Sequence, residues 1–356
     1  GGKFHRISGR WNLKFHFRNM KRYALALEKE GVSCYTESKK QTVAVIDRRD
    51  LQMQNFFLGD YIRQRRLELG LTQEQVCEGI CEPITLSRIE NGKQTPSRVR
   101  INAILQRLDL PDDRYYALLT KNELEIEALE KEIVACNVTG RVEEGIAKLE
   151  KLKAFAEEES LIQQFIIRSR LLLGQVEKRY TPQEEIEILT QAIHLTVPDF
   201  DIEEIEKKLY TRDEIKIINQ IANAYSCAGN QKKAADIFYQ LLKYIRKHKR
   251  ETITTIGVFP MILHNYSRVL DLAGRYEEGV QYALEGKDAC IKYGHYQYLP
   301  GCIEIYGECC YFLGRIEESR KAYRQAYYIC EAIGEQKNLQ VIVEEAKKYL
   351  NMEFED

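Results

Sequence analysis

The most informative part of the chain is a pair of short segments, residues 71–76 (LTQEQV) and residues 86–92 (LSRIENG). Gly70 ends a preceding helix, and Thr72 is a favourable N-cap for the next one. Pro83 suits the first position of a helix over residues 83–90, which the following Asn and Gly stop because both tolerate positive φ. The segments therefore predict two short helices, at about 73–80 and 83–90, joined by a tight turn.

The flanking residues predict two further helices that cover this pair. Upstream, an apolar stripe with helical spacing indicates a first helix and consists of Leu58, Ile62, Leu69 and Leu71. Downstream, Pro96 and Ser97 open a fourth helix, whose buried face is predicted to be Ile101, Ile104, Leu105 and Leu108. Four helices in this order form a helix-turn-helix domain, which we place at residues 53–110.

These segments, together with Pro96 and Ser97, resemble the lambda-repressor-like (Cro/cI-type) helix-turn-helix family over about 55 residues. The chain departs from the family at the turn, where residues 81–83 (CEP) replace the commoner small-residue turn. The resemblance implies that the third helix lies in the major groove of DNA. It also implies a partly buried ion pair between Arg66 and Glu90.

The resemblance assigns roles in DNA binding to five residues. Arg88 would read a guanine with two hydrogen bonds, and Ile84 and Thr85 would reach a thymine methyl or a phosphate. Gln73 and Asn91 would donate to phosphates. An ordinary solvent-exposed charge is the alternative interpretation of Arg88.

The remaining 246 residues, 111–356, contain internal repeats. Three segments align on Gly229, Gly274 and Gly314, and each is predicted to form a helix, a glycine turn and a second helix. Gly140 and Gly174 mark two weaker units upstream. The pattern resembles tetratricopeptide repeats, which implies a superhelix with a concave surface suited to an extended peptide.

The repeat register predicts which polar side chains face this groove. They are Gln164, Arg168, Asn219, Asn223, His264, Arg268, Glu304 and Glu308. Asn offers a donor and an acceptor together, which suits a peptide backbone. We expect the wall to change from amide to basic to acidic along the groove. Polar residues on a solvent-facing helix with no binding role are the alternative.

The combined architecture resembles the peptide-responsive regulators of Gram-positive bacteria, the Rgg and PlcR type. The fold class is therefore predicted to be mainly α, a helix-turn-helix domain followed by a tetratricopeptide-like solenoid. The resemblance implies a cytoplasmic homodimer that binds double-stranded DNA and a short peptide. The alternative is an adaptor whose repeats bind a partner protein and whose helix-turn-helix does not regulate transcription.

Residues 1–52 are a basic extension with 12 Lys+Arg and 5 Asp+Glu. Alternating apolar residues at 11–17, a helical stretch at 19–30 and two short apolar runs predict a small α+β unit. An accessory extension with no role of its own is the alternative.

Composition limits the other classes of function. Residues 111–356 hold 33 Lys+Arg and 42 Asp+Glu, so contact with phosphates is expected only from the first 110 residues. The chain has no export signal, no apolar run long enough for a membrane helix, and no CxxC pair among its ten cysteines. Free thiols in a reducing cytosol are expected. Phosphate loops, GxSxG and HExxH are absent, so we expect no enzyme, metal or cofactor.

Overall fold

The computed structural model describes residues 48–110, 121–155, 159–248 and 257–354. The strands and helix predicted within residues 1–46 lie outside these ranges. Across the described residues the protein is helical, as predicted. None of the helices in these ranges combines the length and the apolar character needed to cross a membrane.

Four helices form the helix-turn-helix domain: α1 (Arg48–Glu68), α2 (Gln73–Cys77), α3 (Pro83–Glu90) and α4 (Arg98–Arg107). The bounds of α3 are those predicted, whereas α2 ends three residues earlier than expected. Helix α1 begins at Arg48, so it spans the predicted domain boundary between residues 52 and 53.

Local capping determines where these helices start. The Thr72 hydroxyl accepts from the Gln75 backbone and the Gln75 side chain accepts from the Thr72 backbone, so both halves of a capping box are present. Ser97 caps α4 by accepting from the backbone of Arg100. These local interactions are why the sequence alone located the helix starts.

The helices enclose one apolar core, which includes Ile62, Val76, Leu86, Ile89, Ile101, Ile104, Leu105 and Leu108. Helix α1 packs against the end of α3 at Gly59, where a Cβ would lie 2.1 Å from the carbonyl oxygen of Ile89. Only glycine allows this approach without displacement of the backbone.

The repeat region contributes eleven further helices in the described ranges. They are α5 (Lys121–Thr139), α6 (Val142–Lys153), α7 (Ser160–Val176), α8 (Pro182–His194), α9 (Arg212–Cys227), α10 (Gln231–Lys247), α11 (Val258–Leu272), α12 (Tyr276–Tyr293), α13 (Leu299–Phe312), α14 (Ile316–Ile333) and α15 (Gln336–Leu350). Consecutive helices pair as five antiparallel hairpins, and α15 packs on the last one. This is the tetratricopeptide-like solenoid that the repeats predict.

Glycines with positive φ form the turns inside the hairpins, as predicted for Gly229, Gly274 and Gly314. Gly140 occupies the same place between α5 and α6. Gly174 differs, because it lies inside α7, where a Cβ would meet the Tyr180 ring at 2.3 Å. Gly174 therefore allows close packing and does not form a turn. The helix pair that the sequence analysis predicted around it, α7 and α8, is present.

The hairpins pack through small residues, as the repeat pattern indicates. Ala222 and Ala234 are fully buried between α9 and α10. A Cβ at Gly279 would lie 2.6 Å from the sulfur of Cys309, so the helices carrying them approach closely. Every cysteine within the described ranges is a free thiol.

Candidate DNA-binding surface and ligand groove

Helix α3 presents the predicted DNA-reading side chains to solvent. Ile84 is 60% exposed, an unusual placement for an isoleucine. Arg88 is exposed, and its guanidinium has no hydrogen-bond or ion-pair partner within the described residues. Thr85 is half-buried beside them. An unpaired guanidinium on such a helix has all five donors available to a base edge or phosphate.

The predicted ion pair between Arg66 and Glu90 is confirmed and holds α1 to the end of α3. Arg66 donates from Nε and Nη2 to the two carboxylate oxygens of Glu90, at 2.6 and 2.9 Å. Both side chains are buried, and the hydrogen bonds to Glu90 raise the pKa of Arg66. This paired, two-bond geometry fixes α3 against α1.

Gln73 and Asn91 already have intramolecular partners. The Gln73 amide donates to Glu90 at 2.8 Å, so one of its two amide hydrogens belongs to the buried network. The Asn91 amide donates to the Ser87 carbonyl at 2.6 Å and caps the end of α3. Each amide keeps a second hydrogen for a phosphate.

The helix-turn-helix domain is attached to the repeats through Arg107 on α4. Its guanidinium donates to the carbonyls of Val76 and Glu78 on one side, and to the Thr196 carbonyl and the Glu214 carboxylate on the other. Arg107 and Glu214 are 1% and 0% exposed, so this ion pair is fully buried.

Further contacts surround Arg107. Lys208 of the repeat region binds the Glu78 carboxylate at 2.6 Å, and the Arg212 backbone donates to the Gln106 side chain at 3.0 Å. Gly79, with φ of 66°, packs so closely that a Cβ would lie 2.0 Å from the Thr196 carbonyl oxygen. These contacts use α4 and the end of α2 and leave the exposed side chains of α3 accessible.

Five of the eight predicted groove residues make polar side-chain contacts between helices of the repeats, and we call the eight residues with these contacts the polar ladder. Its contacts are Arg168–Gln220, Asn219–Asn265, Arg268–Glu304, Arg268–Glu308 and Glu308–Tyr349. Each contact joins two different helices, so side chains one repeat apart lie within hydrogen-bonding reach of each other. That these residues face a ligand groove stays a prediction of the repeat register.

The ladder members differ in how much surface they offer to a ligand. Gln164, Asn219, Glu304 and Glu308 are buried, at 2, 3, 4 and 7% exposure. The Gln164 amide donates to the Ala192 carbonyl and the Thr196 hydroxyl. Arg168, Asn223, His264 and Arg268 are partly exposed. Burial lowers the pKa of His264 to about 4, so its ring is neutral at pH 7.

The expected sequence of separate basic and acidic zones does not occur. Arg268 bonds Glu304 and Glu308 directly, with its Nη1 2.6 Å from Glu308. The reason is that positions one repeat apart lie within side-chain reach, so opposite charges there pair with each other. Tyr349 and Glu345 complete this cluster, which carries more carboxylates than cations.

Burial and neighbouring negative charge raise the pKa of two carboxyl groups at this cluster, Asp271 and Glu345. Burial, with the negative charge of Glu308, raises the pKa of Asp271 to about 7. Burial and a hydrogen bond with Glu304 raise the pKa of Glu345 to about 9. Oxygens of Glu304, Glu308 and Glu345 lie within 4.8 Å of one another, and Arg268 occupies the space between its two partners.

A cleft of about 410 Å³ lies where α4 meets α5, α7 and α9, and we call it the junction cleft. Its lining includes Asn102 from α4, the predicted groove residues Gln164 and Arg168 from α7, and Lys216 from α9. The helix-turn-helix domain therefore supplies part of the lining of the junction cleft. The sequence analysis missed Asn102 and Arg107, because neither belongs to a motif and the residues that surround them come from distant parts of the sequence.

The comparisons with known proteins agree with this architecture. Residues 58–117 match the helix-turn-helix domain family. No curated protein matches the chain in sequence. The chain is thus a helix-turn-helix protein with tetratricopeptide-like repeats.

Its fold is shared with PlcR of Bacillus thuringiensis. PlcR in complex with the peptide PapR7 and DNA is 24% identical, with a TM-score of 0.54 over 80% of this chain and 98% of that chain. Apo PlcR is 22% identical, with a TM-score of 0.52 over 81% and 98%. Apo ComR, the competence regulator from Streptococcus vestibularis, is more distant, at 14% identity and a TM-score of 0.48 over 83% and 99%.

Proposed function

We propose that this protein is a cytoplasmic, sequence-specific DNA-binding transcriptional regulator whose repeat domain senses a peptide. The observation that carries the DNA-binding part is the placement of α3. Its Ile84 and Arg88 are exposed and uncommitted, while the contacts to the repeats use α4 and the end of α2. A helix-turn-helix kept only for dimerisation would not need a free recognition face.

Two further points support the proposal. PlcR, whose fold the chain shares, was solved bound to a peptide and DNA. The polar ladder gives the repeats a face with partly exposed donors and acceptors at Asn223 and Arg168. A short peptide, with one amide per residue, matches such a face. We include a homodimer in the proposal, since helix-turn-helix proteins of this type bind paired half-sites.

The DNA-binding part is tested by selecting genomic fragments on the purified protein and titrating the best sequence in a gel shift. Arg88→Ala is expected to weaken DNA binding by about 1–3 kcal/mol through the loss of one base contact, and to relax specificity at that base position. Gln73→Ala is expected to lower the affinity for all DNA sequences by a similar factor, because a phosphate contact carries no base information. Arg324→Ala is the matched control, because this arginine is exposed on α14, far along the chain.

Wild-type operator preference in Arg88→Ala would contradict the proposed docking of α3. Failure to select any sequence, with a partner protein captured through the repeats instead, would favour the adaptor. Sedimentation with and without the selected operator tests the homodimer.

The peptide-sensing part is tested by calorimetric titration of peptides retained by the purified protein. Asn223→Ala is expected to weaken peptide binding by roughly 1–3 kcal/mol, the cost of an unpaired backbone group. Its DNA affinity without peptide is expected to stay that of the wild type. Unchanged peptide affinity in Asn223→Ala would contradict the groove assignment.

A further inference from the structure

The junction cleft contains an arginine whose hydrogen-bonding capacity is mostly unused. Arg168 donates through Nε to the neutral Gln220 side chain at 2.8 Å, and neither Nη atom has a partner within the described residues. Asp213, whose negative charge acts on Arg168, is instead paired with Lys216 at 3.0 Å. The free edge of Arg168 is a fork of N–H groups that matches a carboxylate.

The charge of the cleft also favours an anion. Its cationic lining residues are Lys131, Arg168, Arg212 and Lys216, and its carboxylates are Glu130 and Asp213. Burial and the nearby Asp213 raise the pKa of Glu130 to about 7, so part of that negative charge is absent at neutral pH. Burial lowers the pKa of Arg168, which is the expected effect on a cation without a paired anion.

The opposite wall supplies a free acceptor. Asn102 on α4 lines the same cleft, and its Oδ1 is buried with no hydrogen-bond partner in the described part of the chain. Buried polar atoms of this kind are normally satisfied, so an N–H donor is missing there. Within the described residues, Asn102 thus has an acceptor without a donor, and Arg168 has a cation without a paired anion.

We propose that the junction cleft binds the C-terminal residue of the sensed peptide, whose carboxylate pairs with Arg168 and whose backbone N–H donates to Asn102. A terminal residue carries both groups, and a cleft of about 410 Å³ is of the size that takes the end of a peptide rather than its whole length. This inference rests on the proposed peptide sensing and adds the anchored end and its chemistry.

The site has a consequence for regulation. Asn102 belongs to the helix-turn-helix domain and Arg168 to the repeats, so the bound residue contacts both. A ligand that binds only the docked arrangement stabilises that arrangement in proportion to its occupancy. Peptide binding therefore strengthens the attachment of α4 to the repeats, and this is how the DNA-binding domain senses the ligand.

The experiment uses two pools of short random peptides that lack Asp and Glu, one with free C-terminal carboxylates and one amidated. The full-length protein is immobilised, and retained peptides are quantified by mass spectrometry. Wild type is expected to retain the free-acid pool about ten- to hundredfold better, the value of a charged hydrogen bond. A third pool, amidated but containing Asp and Glu, tests a side-chain carboxylate as the anion.

Two variants assign the preference to the cleft. Arg168→Gln is expected to remove most of the preference for the free-acid pool. Arg170→Gln, a control on the exposed side of α7, is expected to keep this preference. Asn102→Ala is expected to reduce the retention of both pools that lack Asp and Glu. Hydrogen exchange of α4 is expected to slow when the free-acid pool is added. Thermal melts of each variant check folding. Arg168→Lys keeps the positive charge but loses the paired N–H groups of the guanidinium, so its preference for the free-acid pool is expected to lie between those of wild type and Arg168→Gln.

The outcomes separate this inference from the proposed function. Equal retention of the free-acid and amidated pools overturns the anchored C-terminus and leaves peptide sensing intact. Better retention of the pool containing Asp and Glu than of the free-acid pool also overturns it, in favour of an acidic side chain. A free-acid preference that persists in Arg168→Gln overturns the assignment to this cleft. Retention of no pool overturns peptide sensing and this inference together.

Discussion

Arg107 and Glu214 form a buried ion pair between the helix-turn-helix domain and the repeats, with Nη2 and Oε1 separated by 3.4 Å. Two carbonyls of the first domain, those of Val76 and Glu78, share the same guanidinium. The Glu214 carboxylate also accepts from the Thr211 backbone at the start of α9. One arginine thus connects the end of α2, the loop after α8 and the first turn of α9.

Removing Arg107 is expected to destabilise the whole chain. Arg107→Met leaves the Glu214 carboxylate buried without its cation, for which the expected cost is roughly 3–5 kcal/mol. The measurement is urea unfolding followed by circular dichroism. Arg246→Met is the control, because the Arg246–Glu285 pair is 45% and 35% exposed and is expected to contribute about 1 kcal/mol or less. Equal losses in the two variants would contradict this role for Arg107.

Glu90→Gln is expected to loosen the recognition helix. The substitution keeps the shape of the side chain and removes the charge that pairs with Arg66 and accepts from Gln73. Leaving Arg66 buried without its anion is expected to cost roughly 3 kcal/mol. Glu68→Gln, an exposed change on α1, is the control. Wild-type stability in Glu90→Gln would mean that packing alone holds α1 to α3.

The carboxylate cluster is expected to make stability depend on pH. The pKa of Asp271 is raised to about 7 in the folded protein, while in the unfolded chain it is about 4. Between these values the unfolded state binds fewer protons, so the contribution of Asp271 to the free energy of unfolding falls as the pH rises and levels off above about pH 7.

Asp271→Asn is expected to remove part of this dependence. The wild type is expected to lose on the order of 2–3 kcal/mol of stability relative to the variant between about pH 5 and about pH 8. The asparagine oxygen can still accept from the Cys309 thiol, which lies 3.3 Å from Oδ1 of Asp271. Asp288→Asn, an exposed change on α12, is the control. Parallel pH profiles for wild type and Asp271→Asn would contradict the raised pKa of Asp271.

The sequence predicted the helices of the first domain because their signals are local. Pro83 and the pair Asn91-Gly92 determine both ends of α3 through backbone geometry alone. Helix α2 was predicted too long because its end depends on Gly79, whose positive φ accompanies close packing against Thr196. That contact joins residues more than a hundred positions apart, and no local pattern encodes it.

In the predicted groove, too, some features follow from local sequence and others only from the tertiary structure. The repeat register predicts that Arg168, Asn219, Arg268 and Glu304 lie on one face, since helical periodicity decides which side chains point the same way. Which of them keep free hydrogen-bonding groups was beyond the register, because that depends on neighbours one repeat away. Arg268 forms hydrogen bonds with Glu304 and Glu308, while neither Nη atom of Arg168 has a partner within the described residues.

The sequence by itself therefore predicted the fold class, the bounds of α3 and the order of the repeats, and its resemblance to the helix-turn-helix family implied the Arg66–Glu90 pair. The helix bounds follow from interactions within a few turns of helix, and the order of the repeats follows from their spacing. Only the tertiary structure decided that α4 packs on the repeats through Arg107 and that Asn102 and Arg168 line one shared cleft. The physical reason is that hydrogen-bond satisfaction is a property of the packed chain, where each polar atom finds or lacks a partner brought from elsewhere.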